Sequence, residues 1–166
     1  EVQYANKIIN DLLDYSREIK LYLKTTDVGN LIQDSLSTVD IPKDVQIKAK
    51  IEKNLFVAID FDKMKRVCVN LIRNAIDAMP NGGKLEIKSQ QKNQAVMLSF
   101  IDSGTGIPKA TLDKLWTPFF TTKSKGIGLG LAICKRIVEA HEGKISIKSK
   151  LGKGTTFTIT LPLVKK

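Results

Sequence analysis

Cysteines, aromatic residues and long apolar runs are all scarce in this sequence. The 166 residues include two cysteines, Cys68 and Cys134, which lie far apart and have no CxxC partner. This pattern argues against a metal site or a disulfide scaffold and favours a reducing, cytosolic setting. No stretch approaches the roughly 18 apolar residues of a membrane span, and no signal peptide opens the chain.

Acidic residues are also in deficit. The 27 Lys and Arg against 17 Asp and Glu give a formal charge of +10, of which residues 123–166 (10 basic, 2 acidic) contribute +8. Such an excess indicates an anionic partner, either a nucleic acid or the polyphosphate of a nucleotide. Residues 123–166 contain one aromatic residue, Phe157, and no nucleic-acid-binding motif, so we favour the nucleotide and expect no nucleic-acid partner.

The chain starts at Glu1 within a helical pattern and without Met, so we expect it to be part of a longer protein. Apolar residues recur every three or four positions through residues 1–24, which predicts a long amphipathic helix with a coiled-coil-like seam. That helix either packs on its own domain or forms half of a dimerising hairpin. Residues 25–166 are then a second unit.

Hydrophobic spacing predicts a mixture of helices and strands in this second unit. Residues 28–39 and 62–79 have helical spacing, with Asp27 and Asp62 as candidate N-caps. Strict alternation predicts a strand over Val45–Ile51, with Leu55–Ile59 as its hairpin partner. The remaining predicted elements are strands at 85–89, 95–101, 145–149 and 155–161, a short helix near 109–115 and a helix opened by Gly126–Gly130 that ends near His141. This order indicates an α+β sandwich with helices on one face of a mostly antiparallel sheet.

A polar stripe interrupts the apolar pattern of the helix predicted over 62–79. Asn70 and Asn74 are four residues apart, and Asp77 follows three residues later, so the three side chains share one face. Carboxamide oxygens can join a Mg²⁺ shell that water and phosphate oxygens complete. Taken alone, the stripe also fits an ordinary solvated surface.

Two glycine motifs follow. Asp102-x-Gly104-x-Gly106 comes directly after a predicted strand, where a carboxylate can accept a hydrogen bond from an exocyclic amine and glycines permit close approach. Gly126-Ile-Gly128-Leu-Gly130-Leu131 opens a helix whose backbone N–H groups suit phosphate. It is neither a Walker A loop nor a dinucleotide fingerprint. The residues just before it supply hydroxyl groups and cations on a movable lid; these are Thr121, Thr122, Lys123 and Lys125.

The order of these motifs resembles the ATP-binding domain of sensor histidine kinases, in the superfamily of gyrase, heat-shock chaperone and mismatch-repair ATPases. Asn70–Ala75 is similar to that family's N box, Asp102–Gly106 to its G1 box, Trp116–Phe120 to its F box and Gly126–Leu131 to its G2 box. Gly152-Lys-Gly-Thr-Thr-Phe157, alone a hairpin turn, is similar to its last glycine box. The resemblance implies the family's two-layer α/β sandwich, the Bergerat ATP-binding fold.

The resemblance also implies roles for individual residues. Asn74 would ligate Mg²⁺, Asn70 and Lys123 would act in catalysis beside the phosphates, and Asp102 would bind the adenine amino group. Thr155 would support Asp102 through its hydroxyl or a water, and Phe119 would lie on the lid. The further positions expected to contact the nucleotide are Asp77, Gly104, Gly106, Ile107, Phe120, Thr121, Thr122, Gly126, Ile127, Gly128, Leu129, Gly130 and Leu131.

Residues 10–17 resemble the second helix of the family's dimerisation and phosphoacceptor hairpin. No H-E-x-R-x-P acceptor motif is present, and we expect the only histidine, His141, to pack at a helix end. The acceptor histidine would then lie upstream of Glu1. The resemblance implies a homodimer in the full protein and a response regulator receiver domain as the phosphoryl recipient.

The predicted function is therefore transfer of the ATP γ-phosphate to a histidine. Related ATPases place a glutamate at the position of Asn70 to activate water, and a carboxamide cannot serve as that base. An anti-sigma-type serine kinase or an ATPase on the same fold stays as the alternative, although the helix over residues 1–24 would be surplus there.

Overall fold

The structure, a computed structural model, describes residues 1–124 and 126–165. The elements in chain order are α1 (Val2–Ser16), β1 (Lys24–Asp27), α2 (Val28–Thr38), β2 (Val45–Ile51), β3 (Phe56–Ile59), α3 (Phe61–Asp77), β4 (Gly83–Lys92), β5 (Ala95–Asp102), α4 (Lys109–Leu112), α5 (Gly130–Ala140), β6 (Lys144–Lys150) and β7 (Gly154–Pro162).

Five strands form the main sheet in the order β2-β4-β5-β7-β6. Its neighbours are antiparallel except for β2 and β4, which run parallel. The inward positions of the central strands alternate with outward ones, so that β5 buries Val96, Leu98 and Phe100. These side chains pack with the buried faces of α2, α3 and α5 in one core, because each helix carries an apolar stripe. The predicted α+β sandwich is thereby confirmed.

The predicted hairpin between β2 and the segment after it is wrong. β3 pairs antiparallel with β1, from Lys24 opposite Ile59 to Asp27 opposite Phe56, in a separate two-stranded sheet. β2 instead pairs in parallel with β4. Val57 and Ile59 are fully buried, and they reach the core from this small sheet. Sequence proximity suggested a hairpin, whereas burial of the two apolar side chains selects the other partner.

The first helix is shorter than its apolar spacing predicts. α1 ends at Ser16, and Arg17 at its C-terminus is extended, with φ −85° and ψ 151°. Lys24 already belongs to β1, so the prediction of a helix through residue 24 is wrong. Ile19 packs against the core from irregular chain, which explains why it continued the apolar pattern. The division of the chain at residues 24 and 25 stays a prediction.

Aspartate side chains begin two of the helices. Asp27 caps α2 as predicted, since its Oδ1 accepts the N–H groups of Gly29 and Asn30. The cap of α3 is Asp60, whose Oδ1 accepts the Lys63 N–H at 3.2 Å, and not Asp62, which lies in the first turn. Within residues 1–124 and 126–165, the helices lack the length and apolar character needed to cross a membrane.

Candidate functional site

Asp102 ends β5 and is buried, with 6% of its surface exposed. Its Oδ1 accepts two backbone hydrogen bonds, from Gly104 at 2.8 Å and from Thr155 at 3.2 Å. Every buried side-chain nitrogen or oxygen of the described residues has a partner, and no described group donates to Asp102 Oδ2. This second oxygen is therefore not completely buried, and it can accept a hydrogen bond from a ligand.

The environment of Asp102 disfavours its charge. Burial raises the pKa of this carboxyl above its ordinary value of 3.8, and the hydrogen bonds from Gly104 and Thr155 offset only part of that effect. A partly buried carboxylate has lost some of its hydrogen bonds to water, so a ligand N–H donor stabilises it more than it would stabilise an exposed carboxylate.

Glycines bring the loop after Asp102 close to its neighbours. A Cβ at Gly104 would collide with the carbonyl of Ala78, where α3 ends, and Gly106, at φ 71°, would collide with the carbonyl of Lys150. The sequence suggested that these glycines make room for a flat base. Their close contacts are with the protein backbone, so they fix the loop between α3 and β6.

Ser149 joins this region and was not predicted from the sequence. Its hydroxyl contacts three groups: the Ile107 N–H at 2.8 Å, the Gly154 carbonyl at 2.9 Å and the Thr155 hydroxyl at 2.7 Å. The support that Thr155 gives to Asp102 comes from its backbone N–H, while its hydroxyl bonds to Ser149. The available signal was that alternation in β6 places Ser149 on the same face as Ile145 and Ile147, a polar residue on an apolar face.

The polar stripe on α3 is present as predicted. Asn74 Nδ2 donates to Asn70 Oδ1 at 3.1 Å, which turns Asn74 Oδ1 outward. Lys123 Nζ lies 3.1 Å from that oxygen and 2.6 Å from Asp77 Oδ2. The amide and carboxylate oxygens are thus already arranged around a positive charge.

The glycine-rich segment meets the same stripe. α5 begins at Gly130 with no side-chain cap, so its first N–H groups are available to an anion. A Cβ on Gly130 would lie 2.8 Å from Asn70 Nδ2, which shows how closely this helix start approaches α3. The site therefore combines an N-terminal helix end, two carboxamides and a lysine.

The lid before α5 is folded onto the glycine-rich segment. The Phe119 N–H donates to the Gly128 carbonyl at 3.0 Å, and Gly128, at φ 76°, leaves no room for a Cβ beside Phe120. Thr121 Oγ1 accepts the Lys123 N–H at 3.0 Å. Lys125, a predicted lid cation, lies outside the described residues.

The remaining predicted contacts differ in exposure. Thr122 is exposed, and Ile127 and Leu131 are half-buried against the core. Leu129 is fully buried, so only its backbone can reach a ligand. The Thr105 N–H donates to the Ala78 carbonyl at 3.0 Å, and α3 in this way connects the Asp102 region with the Asn70 and Asn74 stripe.

His141 is a structural residue. It is 5% exposed, and both ring nitrogens are occupied: Nε2 accepts the Asp60 N–H at 3.0 Å and Nδ1 lies 2.7 Å from the Ile137 carbonyl. One nitrogen accepting and the other donating describes a neutral imidazole that joins the end of α5 to the start of α3.

Comparison with known proteins identifies the family. The family model described as histidine kinase-, DNA gyrase B- and HSP90-like ATPase matches residues 59–165. The chain belongs to this family. Domains of this family bind ATP, and the two-layer fold expected from the resemblance is confirmed.

Relatives within the family are histidine kinases. The chain is 36% identical to the sensor histidine kinase ZraS of Escherichia coli over 98% of its own length and 36% of that protein. It matches the catalytic domain of the histidine kinase ThkA with a TM-score of 0.77 and 34% identity, covering 85% of this chain and 95% of that one. A structure of ThkA in complex with the response regulator protein TrrA gives a TM-score of 0.83 and 31% identity, over 98% of this chain and 48% of that one.

These matches confirm the predicted histidine kinase catalytic domain. The chain spans between about a quarter and two fifths of the length of the curated relatives that it matches, for example 36% of ZraS and 39% of sporulation kinase C from Bacillus subtilis.

Proposed function

We propose that this chain binds Mg²⁺-ATP between Asp102 and the α3 stripe and delivers the γ-phosphoryl group to a histidine of the full protein. One observation carries the proposal. The C-terminal end of α3 contacts the loop after Asp102, and no described group donates to Asp102 Oδ2. The same helix carries Asn70 and Asn74, and the Lys123 ammonium and the uncapped start of α5 lie beside them. That arrangement matches a molecule with an amine-bearing base and an anionic tail.

Asp102 is the group that we assign to the base. Its Oδ1 is held by two backbone N–H groups, which leaves Oδ2 to accept the exocyclic amino group of adenine. A base with a carbonyl at that position would place two acceptors together, so the site favours adenine. Gly104, Gly106 and Ile107 hold the surrounding loop.

The α3 stripe and the start of α5 would hold the phosphates. Asn74 Oδ1 fits a Mg²⁺ ligand because the Asn70 contact turns it outward and the Lys123 ammonium already occupies the position of a cation beside it. Mg²⁺ is bound through one or two protein oxygens with phosphates and water as its other ligands, and when bound it neutralises phosphate charge. Lys123 would then turn toward the phosphates, and the N–H groups at Gly130 would hold their oxygens.

Transfer requires a nucleophile other than water. The nitrogen of a neutral imidazole would attack the γ-phosphorus as the bond to the β–γ bridging oxygen breaks, which leaves ADP and releases the imidazole proton. Asn70 cannot act as a base, so it does not activate water for simple hydrolysis. His141 is buried with both nitrogens engaged, and the acceptor is therefore a histidine outside these 166 residues.

The wider setting is inferred from relatives and composition. A response regulator receiver domain would take the phosphoryl group next, which is supported by the complex of ThkA with TrrA. Dimerisation of the full protein is supported by the apolar residues that α1 leaves exposed, among them Ile9, Leu12 and Leu13. The two cysteines are buried free thiols, in keeping with a cytosolic setting.

The test mixes this chain with a separate histidine-bearing hairpin and ATP labelled at the γ-phosphate. We expect acid-labile label on the hairpin, and none when its histidine is replaced by Gln. Absence of label despite measured ATP binding would contradict histidine phosphorylation. Acid-stable label would instead indicate a serine kinase, since phosphoserine survives acid.

A further inference from the structure

Ser149 lies at the point where three segments of the base site meet. It belongs to β6 and pairs in register with Thr155 of β7. Its hydroxyl lies within 2.9 Å of the Ile107 N–H, the Gly154 carbonyl and the Thr155 hydroxyl. Because these partners come from the loop after Asp102 and from the start of β7, one side chain holds both segments.

Counting hydrogens fixes the direction of each bond. A serine hydroxyl has one hydrogen and two lone pairs. Ser149 donates its hydrogen to the Gly154 carbonyl, so it accepts from the Ile107 N–H and from the Thr155 hydroxyl. The Thr155 hydrogen is consequently engaged, and the Thr155 oxygen can offer only lone pairs to other groups.

The same residues surround the carboxylate of Asp102. Thr155 donates its N–H to Asp102 Oδ1, and Gly104, three residues before Ile107, donates the second N–H. Loss of the Ser149 hydroxyl would release Ile107 and free the Thr155 hydroxyl hydrogen beside Asp102. The free oxygen of Asp102 would lose its fixed position, and a new donor would become available near it.

We propose that Ser149 is a positioning residue for the base site, where it holds Ile107 and Thr155 around Asp102 so that adenine is preferred over a base with a carbonyl at the same position. The inference deepens the proposed ATP site and rests on it. Ser149 acts through its neighbours and is not assigned any contact with the nucleotide.

The test measures the dissociation constants of Mg²⁺-ATP and Mg²⁺-ITP for the chain and for Ser149→Ala. Inosine carries a carbonyl where adenosine carries its amino group. Since a partly buried donor or acceptor without a partner weakens binding substantially, we expect the ATP dissociation constant to rise about fivefold or more. ITP should weaken less, so the preference for ATP over ITP should fall by a similar factor.

Two further variants separate positioning from folding. Ser149→Thr keeps the hydroxyl on a strand position and should restore the ATP preference, while Ser146→Ala removes an exposed hydroxyl of the same strand and should change neither constant. If Ser149→Ala does not fold by thermal unfolding, Ser149→Cys, a weaker hydrogen-bonding group of similar shape, should show the same loss of preference.

The outcomes distinguish this inference from the function on which it rests. An unchanged ATP-to-ITP ratio in folded Ser149→Ala, or in Ser149→Cys where the alanine variant does not fold, overturns the inference, whether or not both affinities weaken together. Absence of ATP binding by the unaltered chain would overturn the proposed function itself. ATP binding that is lost in Asp102→Asn but unaffected by Ser149→Ala would keep the function and reject the role of Ser149.

Discussion

The ammonium of Lys123 contacts Asn74 Oδ1 at 3.1 Å, the same oxygen that the proposed site offers to Mg²⁺. Asp77 Oδ2, 2.6 Å away, completes the contact, and about half of each side chain in this ion pair is exposed. Exposed ion pairs contribute at most about 1 kcal/mol to stability. Nucleotide can therefore displace the lysine at small cost, and the lid contact does not have to be structural.

This relationship predicts that Lys123→Gln affects activity much more than stability. The free energy of unfolding should change by less than about 1 kcal/mol, because the lost ion pair is exposed. Phosphoryl transfer to the histidine hairpin should fall about tenfold or more, since a positive charge beside the phosphates is removed. Thermal unfolding and the initial rate of label transfer measure the two effects.

Lys65→Gln is the matched control for that experiment. Lys65 forms an ion pair of 2.7 Å with Asp34, which is also partly exposed and lies between α2 and α3. Lys65→Gln should change the free energy of unfolding as little as Lys123→Gln does, and it should leave phosphoryl transfer intact. Full transfer activity in Lys123→Gln would contradict the assigned role.

Asp102→Asn should weaken ATP binding without loss of the fold. The amide oxygen can accept the N–H groups of Gly104 and Thr155 as Oδ1 does now, while the amide nitrogen takes the open position of Oδ2. A donor would then face the adenine amino group. We expect the ATP dissociation constant, measured by calorimetry, to rise roughly 10- to 100-fold, as for a lost hydrogen bond to a charged group. Binding within twofold of the unaltered chain would exclude Asp102 from base recognition.

The raised pKa of Asp102 predicts how stability depends on pH. Because burial raises this pKa, the folded chain binds the proton more tightly than the unfolded chain does. Lowering the pH from 7 toward the ordinary value of 3.8 therefore favours the folded state through this group. Asp102→Asn lacks the effect, so its stability relative to the unaltered chain should decline as the pH falls, as measured by urea unfolding at several pH values.

Other carboxyl groups have a lowered pKa, but their effect on stability is the same in both chains and cancels in the difference. Hydrogen bonds and charge from Lys88 and Lys50 lower the pKa of Glu86 to about 2, and such groups lose stabilisation as the pH falls. Both chains contain them. If the stability of Asp102→Asn relative to the unaltered chain stays constant or rises as the pH falls, the Asp102 carboxyl is not destabilised by burial.

Local spacing predicted the α3 stripe correctly, because helical geometry alone places residues three and four apart on one face. Local spacing could not predict which group from a distant part of the chain contacts this stripe. The contact between Lys123 and Asn74 joins residues 49 apart in the chain, and nothing in the spacing of either motif reports it.

Strand partners and helix ends were the weaker predictions for the same reason. Alternation shows which side of a strand is buried but not which strand lies beside it, so β3 was assigned to β2 and not to β1. The end of α1 at Ser16 depends on tertiary contacts, since Arg136 of α5 donates to the carbonyls of Tyr15 and Arg17. Ile19 continues the apolar spacing of α1 although the helix ends at Ser16.

Gly128→Ala should uncouple the lid from the phosphate site. At φ 76° an alanine is strained, and its Cβ would lie 2.5 Å from the Phe119 carbonyl carbon and 2.6 Å from Phe120 N. The lid must then move away, so we expect weaker ATP binding by about tenfold with a smaller effect on adenosine, which has no phosphates.

Gly152→Ala provides the matched control for lid displacement. Gly152 has φ 78°, nearly the same backbone conformation, but no atom lies within 4 Å of an added Cβ. It should cost only the strain of a left-handed alanine, about 1 kcal/mol, in thermal unfolding and leave the ratio of ATP to adenosine affinity unchanged. An equal loss of that ratio in both variants would mean that strain, and not the clash with the lid, weakens binding.

Arg136→Met should loosen α1 from the rest of the chain. The Arg136 guanidinium donates to the carbonyls of Tyr15 and Arg17 and lies 5.2 Å from the centre of the Tyr15 ring, so it satisfies groups that the helix end leaves free. Methionine keeps the apolar stem but cannot donate. We expect amide hydrogen exchange in α1 to accelerate about tenfold, with little change in α3, whereas Arg73→Met, at an exposed position of α3, should have no such effect.

Because α5 also begins at the proposed phosphate site, addition of ATP should slow exchange in α1 of the unaltered chain more than in Arg136→Met. Equal slowing in both would show that Arg136 does not connect nucleotide binding with α1.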